Sequence, residues 1–400
     1  VSVATFFLIL VVILVTAKIF GELTERIGQP AVLGELVAGV VLGSSVLGIV
    51  HPEEEMIHLL AELGVVILLF QIGLATDLKR LLSVGSAAAT VALVGVVVPF
   101  GLGYLVAHAL GLPPIASVVA GATLTATSVG ITARVLSDVG RLNDLESQVV
   151  LGAAVIDDVL GLIILAVITR VVQGGDVSPA QVLVSTATAF AFLAAALVLG
   201  QLFVPRLFAL LTRIGKEETL PVIGLVLALL FSLAAEQTGS ALIVGAFTAG
   251  LVLQPTRQAH AIESGIVRLA QLFVPIFFVA VGASVNIRSF GEVHVLLLGG
   301  ALLIVGILGK VVAGYAPWWF QGRKLVIGIA MVPRGEVGLI FAQMGLASGA
   351  VTSGDYSALM LMVMGTTFFT PPVLRALFKK DGEPPAREGK TGVTQIVTEA

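Results

Sequence analysis

The sequence has no cysteine, which excludes disulfides, thiolate chemistry and cysteine-based metal sites together. It also has little charge. Only 12% of its 400 residues are Asp, Glu, Lys or Arg, against about 25% in a soluble domain. With 57% hydrophobic residues and a mean hydropathy of +1.08, the chain reads as an all-α polytopic membrane protein. The lipid bilayer is the partner this composition demands, and no nucleic-acid partner is expected. The first apolar run, Val1 to Ala17, lacks a basic leading segment and a cleavage site, so it reads as a retained helix.

What the chain has instead is apolar runs of about 18–25 residues separated by short loops, giving about thirteen spans. They fall near 2–20, 30–50, 57–76, 86–109, 114–136, 147–172, 180–212, 220–236, 239–256, 266–284, 293–317, 325–347 and 356–378. The tail, 381–400, is polar and rich in Pro and Gly, and is expected to be flexible. Of the 22 lysines and arginines, Lys310 and Arg334 lie inside spans, Arg170 and Arg288 fall on one side, and the other 18 fall opposite. By the positive-inside rule the N-terminus is outside and the C-terminus cytoplasmic.

A weak internal repeat is present. Gly28, Gly34, Ala38 and Gly39 match Gly239, Gly245, Ala249 and Gly250 at an offset of 211. Further matches follow in order, among them Gly73 with Gly282, Gly95 with Gly306, and Val129-Gly130 with Val337-Gly338. The chain thus divides into a first repeat of about 28–172, linking spans of about 180–236, and a second repeat of about 239–378, all within one unit, 1–380. A five-span unit begun again seven spans later enters the membrane from the opposite side. Such an inverted-topology repeat marks secondary transporters with a midplane site. Span 1 is left outside the repeat and is expected in a static scaffold.

Two spans at equivalent places look interrupted. One carries GATLTATSVGITA (121–133), with Thr125, Thr127 and Ser128 at membrane depth. The other carries MVPRGEVG (331–338), where Pro333 removes a backbone donor and Arg334 and Glu336 place charge in the membrane. The hydroxyls either bond back to the preceding turn or line a cavity. Arg334 and Glu336 either neutralise half-helix dipoles or meet an ion directly.

The stretch LGAAVIDDVLGLIILAVI (151–168) carries two adjacent aspartates in an otherwise apolar helix. Asp158 lies roughly 18 Å of helix from the nearest charge on either side. Each ionised aspartate there costs about 2.5–3.5 kcal/mol on an insertion scale. Lys310 is the third midplane charge. Asp157 and Asp158 point ~100° apart, so one can pair with Lys310 while the other faces a cavity. An inert cluster is a poor explanation, because buried ion pairs rarely beat apolar packing.

PAVLGELVAGVVLG (30–43), ATSVGITARVLSD (126–138), VIDDVLG (155–161), Lys310 and PRGEVGLI (333–340) together resemble bacterial monovalent cation:proton antiporters, most closely the NapA-type sodium/proton antiporters. The resemblance implies a homodimer in the bacterial inner membrane. It implies an ion-translocating core, taken as spans 3–5 and 10–12 plus span 6, moving against a dimerisation domain. It implies Asp158 as the principal cation and proton carboxylate, with Asp157 paired to Lys310. Both aspartates would meet Na+, and Thr127 and Ser128 would lie near it. A paired aspartate implies electrogenic exchange. No nucleotide-binding domain of the potassium-efflux kind is expected after the last span. The expected function is therefore proton-coupled antiport of sodium or lithium, without a cofactor and without enzymatic activity. Potassium/proton antiport by the same core is the alternative, and a cation channel a weaker one, since no ring of charges is evident. An intramembrane aspartic protease needs its two acids on separate segments.

Overall fold

Glycine or proline caps several helices, at Pro30, Gly43, Pro113 and Gly335. The computed structural model describes residues 2–27, 29–172, 219–238, 242–285 and 287–379, with 184, 187, 191, 194–204 and 206. Among these residues all regular structure is helical. The helices are α1 (Val3–Arg26), α2 (Ala31–Leu42), α3 (Glu55–Ala75), α4 (Leu78–Ser83), α5 (Gly85–Ala109), α6 (Pro114–Thr125), α7 (Val129–Asp138), α8 (Leu145–Val172), α9 (Ala194–Val204), α10 (Leu220–Gln237), α11 (Leu242–Leu253), α12 (Ala259–Ala283), α13 (Val293–Tyr315), α14 (Lys324–Ala330), α15 (Glu336–Ala347) and α16 (Ser353–Lys379). Among the described residues, eight spans are long and apolar enough to cross a membrane, with α6–α7 counted as one. Apart from α9 and isolated residues, the expected span 180–212 lies outside the described residues, as does the tail 381–400.

Two expected spans are shorter than hydropathy suggests. The run 30–50 is helical only from Ala31 to Leu42, and in the run 239–256 the described helix is Leu242–Leu253. Twelve residues rise only about 18 Å, against about 30 Å of hydrocarbon. Gly43 ends α2 in extended backbone (φ −69, ψ 176). The chain then turns back through Gly48 (φ +62), and the Ile49 and Val50 amides donate to the Leu42 carbonyl at 2.9 and 3.0 Å. Hydropathy alone cannot show that an apolar run folds back on its own helix end.

Glycine contacts organise the packing. Gly34 has no room for a Cβ against the Phe20 carbonyl, and Gly245 has none against the Phe231 carbonyl. Phe20 and Phe231 lie 211 residues apart, as do Gly34 and Gly245. Helix α1 therefore stands against α2 as α10 stands against α11. Span 1, expected to lie outside the repeat, has a counterpart in α10. The contact is carried by backbone and leaves no shared motif in the sequence.

The helices form two groups. α1, α2, α3, α10, α11 and α12 pack together, and α5–α8 pack with α13–α16. Gly39 sits against Gly282, their Cα atoms closing the α2–α12 contact, while Gly73 and Gly250 do the same for α3 and α11. This corrects the expected core. Spans 3 and 10 (α3 and α12) belong with the short helices α2 and α11, because glycine faces let their backbones touch. The last span, α16, takes a place in the other group against α13. The groups meet mainly where α7 touches α2 and α3 and where α16 touches α2.

Candidate functional site

The two interrupted spans break where the sequence suggests and touch at the breaks. Helix α6 stops at Thr125 and α7 begins at Val129; α14 stops at Ala330 and α15 begins at Glu336. The Ser128 amide donates to the Pro333 carbonyl at 2.8 Å. Thr127 Oγ1 donates to the Met331 carbonyl at 3.3 Å, and Thr132 Oγ1 to the Ala330 carbonyl at 2.6 Å. Gly335 is required here, since a Cβ would lie 2.6 Å from Ser128 Oγ and 2.7 Å from Ser128 Cβ.

The carbonyl end of α14 thus has several donors. Arg334 supplies another. Its Nη1 donates to the carbonyls of Met331 (3.1 Å) and Val332 (2.8 Å), and its Nη2 reaches the Gly306 carbonyl at 3.5 Å. A guanidinium at a helix C-terminus meets the negative end of the dipole. Arg334 thus caps the carbonyl end of α14. Thr367 Oγ1 in turn donates to the Arg334 carbonyl at 2.7 Å. Glu336 is the first residue of α15, and its side chain lies outside what is described.

The threonines divide. Thr123 and Thr125 bond back to the Val119 and Ala122 carbonyls of their own helix (2.8 and 2.7 Å). Thr127 and Thr132 reach across to the other span instead. Neither Thr132 nor Thr367 carried a role in the sequence reading, and Gly95 stood there only as a repeat match. A threonine in an apolar helix gives no sign of whether its hydroxyl partner is four residues away or about two hundred.

Beside the breaks lie the buried charges. Lys310 Nζ is 3.2 Å from Asp157 Oδ2, with the lysine side chain 0% and the aspartate 1% exposed. The lysine extends across α5 at Gly95, where a Cβ would come within 3.3 Å of Nζ. Asp157 Oδ1 is buried with no hydrogen-bond partner among the described residues. Asp158 is buried too, at 4% exposure. Lys310 is in electrostatic reach of Asp158 and Arg334 as well as Asp157. Among the described residues no cluster of three or more His, Asp or Glu side chains is placed to hold a metal. Asp157 and Asp158 offer carboxylate oxygens near the hydroxyls and buried carbonyls of the breaks.

An all-helical membrane protein with two touching helix breaks and a buried carboxylate–lysine pair beside them has the form of a secondary transporter. The comparisons with known proteins agree. The family described as sodium/hydrogen exchanger, transmembrane, matches residues 9–380, and the chain belongs to that family. It is 39% identical to the high-affinity Na(+)/H(+) antiporter NhaS3 of Synechocystis sp., over 92% of this chain and 89% of that one. It is 34% identical to the Na(+)/H(+)-K(+) antiporter GerN of Bacillus cereus, over 93% of this chain and 96% of that one. The sodium proton antiporter MjNhaP1 of Methanocaldococcus jannaschii shares its fold, with a TM-score of 0.71 at 17% identity over 95% of this chain and 96% of that one.

Proposed function

We propose that this protein exchanges sodium or lithium for protons through Asp158, with Asp157 held by Lys310. The buried Asp157–Lys310 pair next to Asp158, against the touching breaks, is the observation that carries this reading. A carboxylate in a low-dielectric site holds either a proton or a cation at full strength, and that competition couples the two flows. Cation entry would draw on Asp157 as well, releasing Lys310 to lose its proton. Loss of one proton from Asp158 and one from Lys310 for each monovalent cation bound would move net charge and make the exchange electrogenic. Thr127 and Ser128 would line the cation's path, while Thr125, Pro333, Arg334 and Glu336 shape the breaks.

The matched glycine contacts support an inverted repeat that includes α1 and α10, within about thirteen spans. Two repeats of opposite topology supply two conformations of similar energy, which alternating access requires. We place the protein in the bacterial inner membrane as a homodimer, N-terminus outside. Potassium is the second cation to consider, because the name of the Bacillus cereus relative includes it.

Purified protein in liposomes with an imposed pH gradient tests the reading. Addition of sodium or lithium should dissipate the gradient, and potassium added alone separates the alternative. Asp158→Asn should abolish exchange while the protein still folds. Wild-type rates in that variant would overturn the assignment.

A further inference from the structure

We propose that Glu35 of α2 and Arg134 of α7 form a breakable latch between the two helix groups, holding the arrangement seen here. The proposal rests on the exchange reading for its purpose, but not for its geometry.

Most directional contacts stay inside one group. Lys310–Asp157, His294–Asp355 and Arg323–Glu146 all join elements of the α5–α8 and α13–α16 group. Glu35–Arg134 crosses between groups. Arg134 Nη2 lies 3.9 Å from Glu35 Oε1, with the two side chains 23% and 7% exposed. The rest of the α7 contact surface is non-directional. At Gly130 a Cβ would meet Val65 and Leu68 of α3 and Phe277 of α12, at 3.6 to 3.8 Å. Apolar surfaces of this kind slide with little loss, whereas an ion pair holds one register.

The pair is also built to come apart. Arg134 Nε is 3.0 Å from Asp138 Oδ1 one turn on, so the arginine keeps a partner on its own helix when α7 moves. Glu35 is the less secured member. Its Oε2 is buried without a hydrogen-bond partner among the described residues. The other charged groups it feels are Asp138, with Glu25 and Lys18 of α1. A half-satisfied buried carboxylate is costly to keep, so Glu35 gives up little when the contact opens. Helix α7 begins at the break that holds Thr127 and Ser128, so a force on Arg134 reaches the candidate site through one short helix.

The absence of native cysteine allows a direct test. Gly130→Cys puts a thiol in the α7–α3–α12 contact, and its labelling rate by a permeant maleimide in liposomes reports how often the groups part. Glu35→Gln and Arg134→Gln should each raise that rate roughly fivefold, the scale of one partly exposed ion pair. The double substitution should raise it no further, and the swap Glu35→Arg with Arg134→Glu should bring it back down. Should Glu35→Gln fold poorly, Glu35→Asp weakens the same contact by one methylene and should give a smaller rise. Unchanged labelling in the single variants, or additive effects in the double, would overturn the latch. A lowered Tm with unchanged labelling would make the pair a structural contact only. Labelling needs no transport, so absence of cation-driven proton movement in wild-type liposomes would sink the exchange reading and leave this result standing.

Discussion

The two helix breaks lie against each other, yet they are made of different chemistry. The α6–α7 break is built from Thr127 and Ser128 and contributes donors, an amide and hydroxyls. The α14–α15 break contributes the acceptors, the carbonyls of Ala330, Met331 and Pro333, with Arg334 as a charged cap. The same division extends to the neighbouring helices. The first half of the chain supplies the acids Asp157 and Asp158, and the second supplies the bases Lys310 and Arg334. Repetition builds two matching shells of helix, and departure from repetition builds the site between them.

The largest test of that division is Lys310→Gln. It leaves Asp157 buried without its counter-charge, and breaking a buried pair from one side costs about 3–5 kcal/mol. A large fall in Tm and a changed charge movement per cation are expected. Retention of both would show that the halves do not depend on each other through this pair.

Gly335→Ala attacks the contact between the breaks. The new Cβ overlaps Ser128, and overpacking of this kind costs about 1–3 kcal/mol. Adding Ser128→Gly should recover much of the lost Tm, because it removes both crowded atoms. If the second change gave no recovery, the close approach would not be the cause.

Arg334→Met should cost about 1–3 kcal/mol, chiefly through the stranded Val332 carbonyl, since Met331 keeps its bond from Thr127. Thr127→Val should cost least, about 0.5–1.5 kcal/mol, because Arg334 still serves Met331. Both are read from thermal melts of the purified protein. Equal losses would mean that the arginine acts as no more than another hydrogen-bond donor.

Much of the site was visible beforehand. Asp157, Asp158 and Lys310 stood out because a charge deep in an apolar run needs a reason, and the breaks because threonine clusters and Pro333 disturb a membrane helix. The grouping of helices was less visible. Hydropathy treats α3 and α5 alike, and only the glycine faces of Gly39, Gly73, Gly250 and Gly282 send α3 and α12 to one group. The short reach of α2 was hidden too, because residues 46–50 resume the apolar run soon after the helix ends.

The sequence by itself determined that this is a helical membrane protein, which residues carry charge inside the bilayer, and where two spans lose their regular hydrogen bonds. Those follow from the cost of leaving polar groups in hydrocarbon, a penalty each residue brings with it. Only the tertiary structure decided that Thr132 serves a carbonyl of the opposite span and that Glu35 faces Arg134 between two helix groups, while the meeting of Lys310 with Asp157 from 153 residues away was expected through the family resemblance. Partners at such separations are chosen by how the helices pack, and glycine contacts between backbones leave no charge or motif in the sequence to announce them.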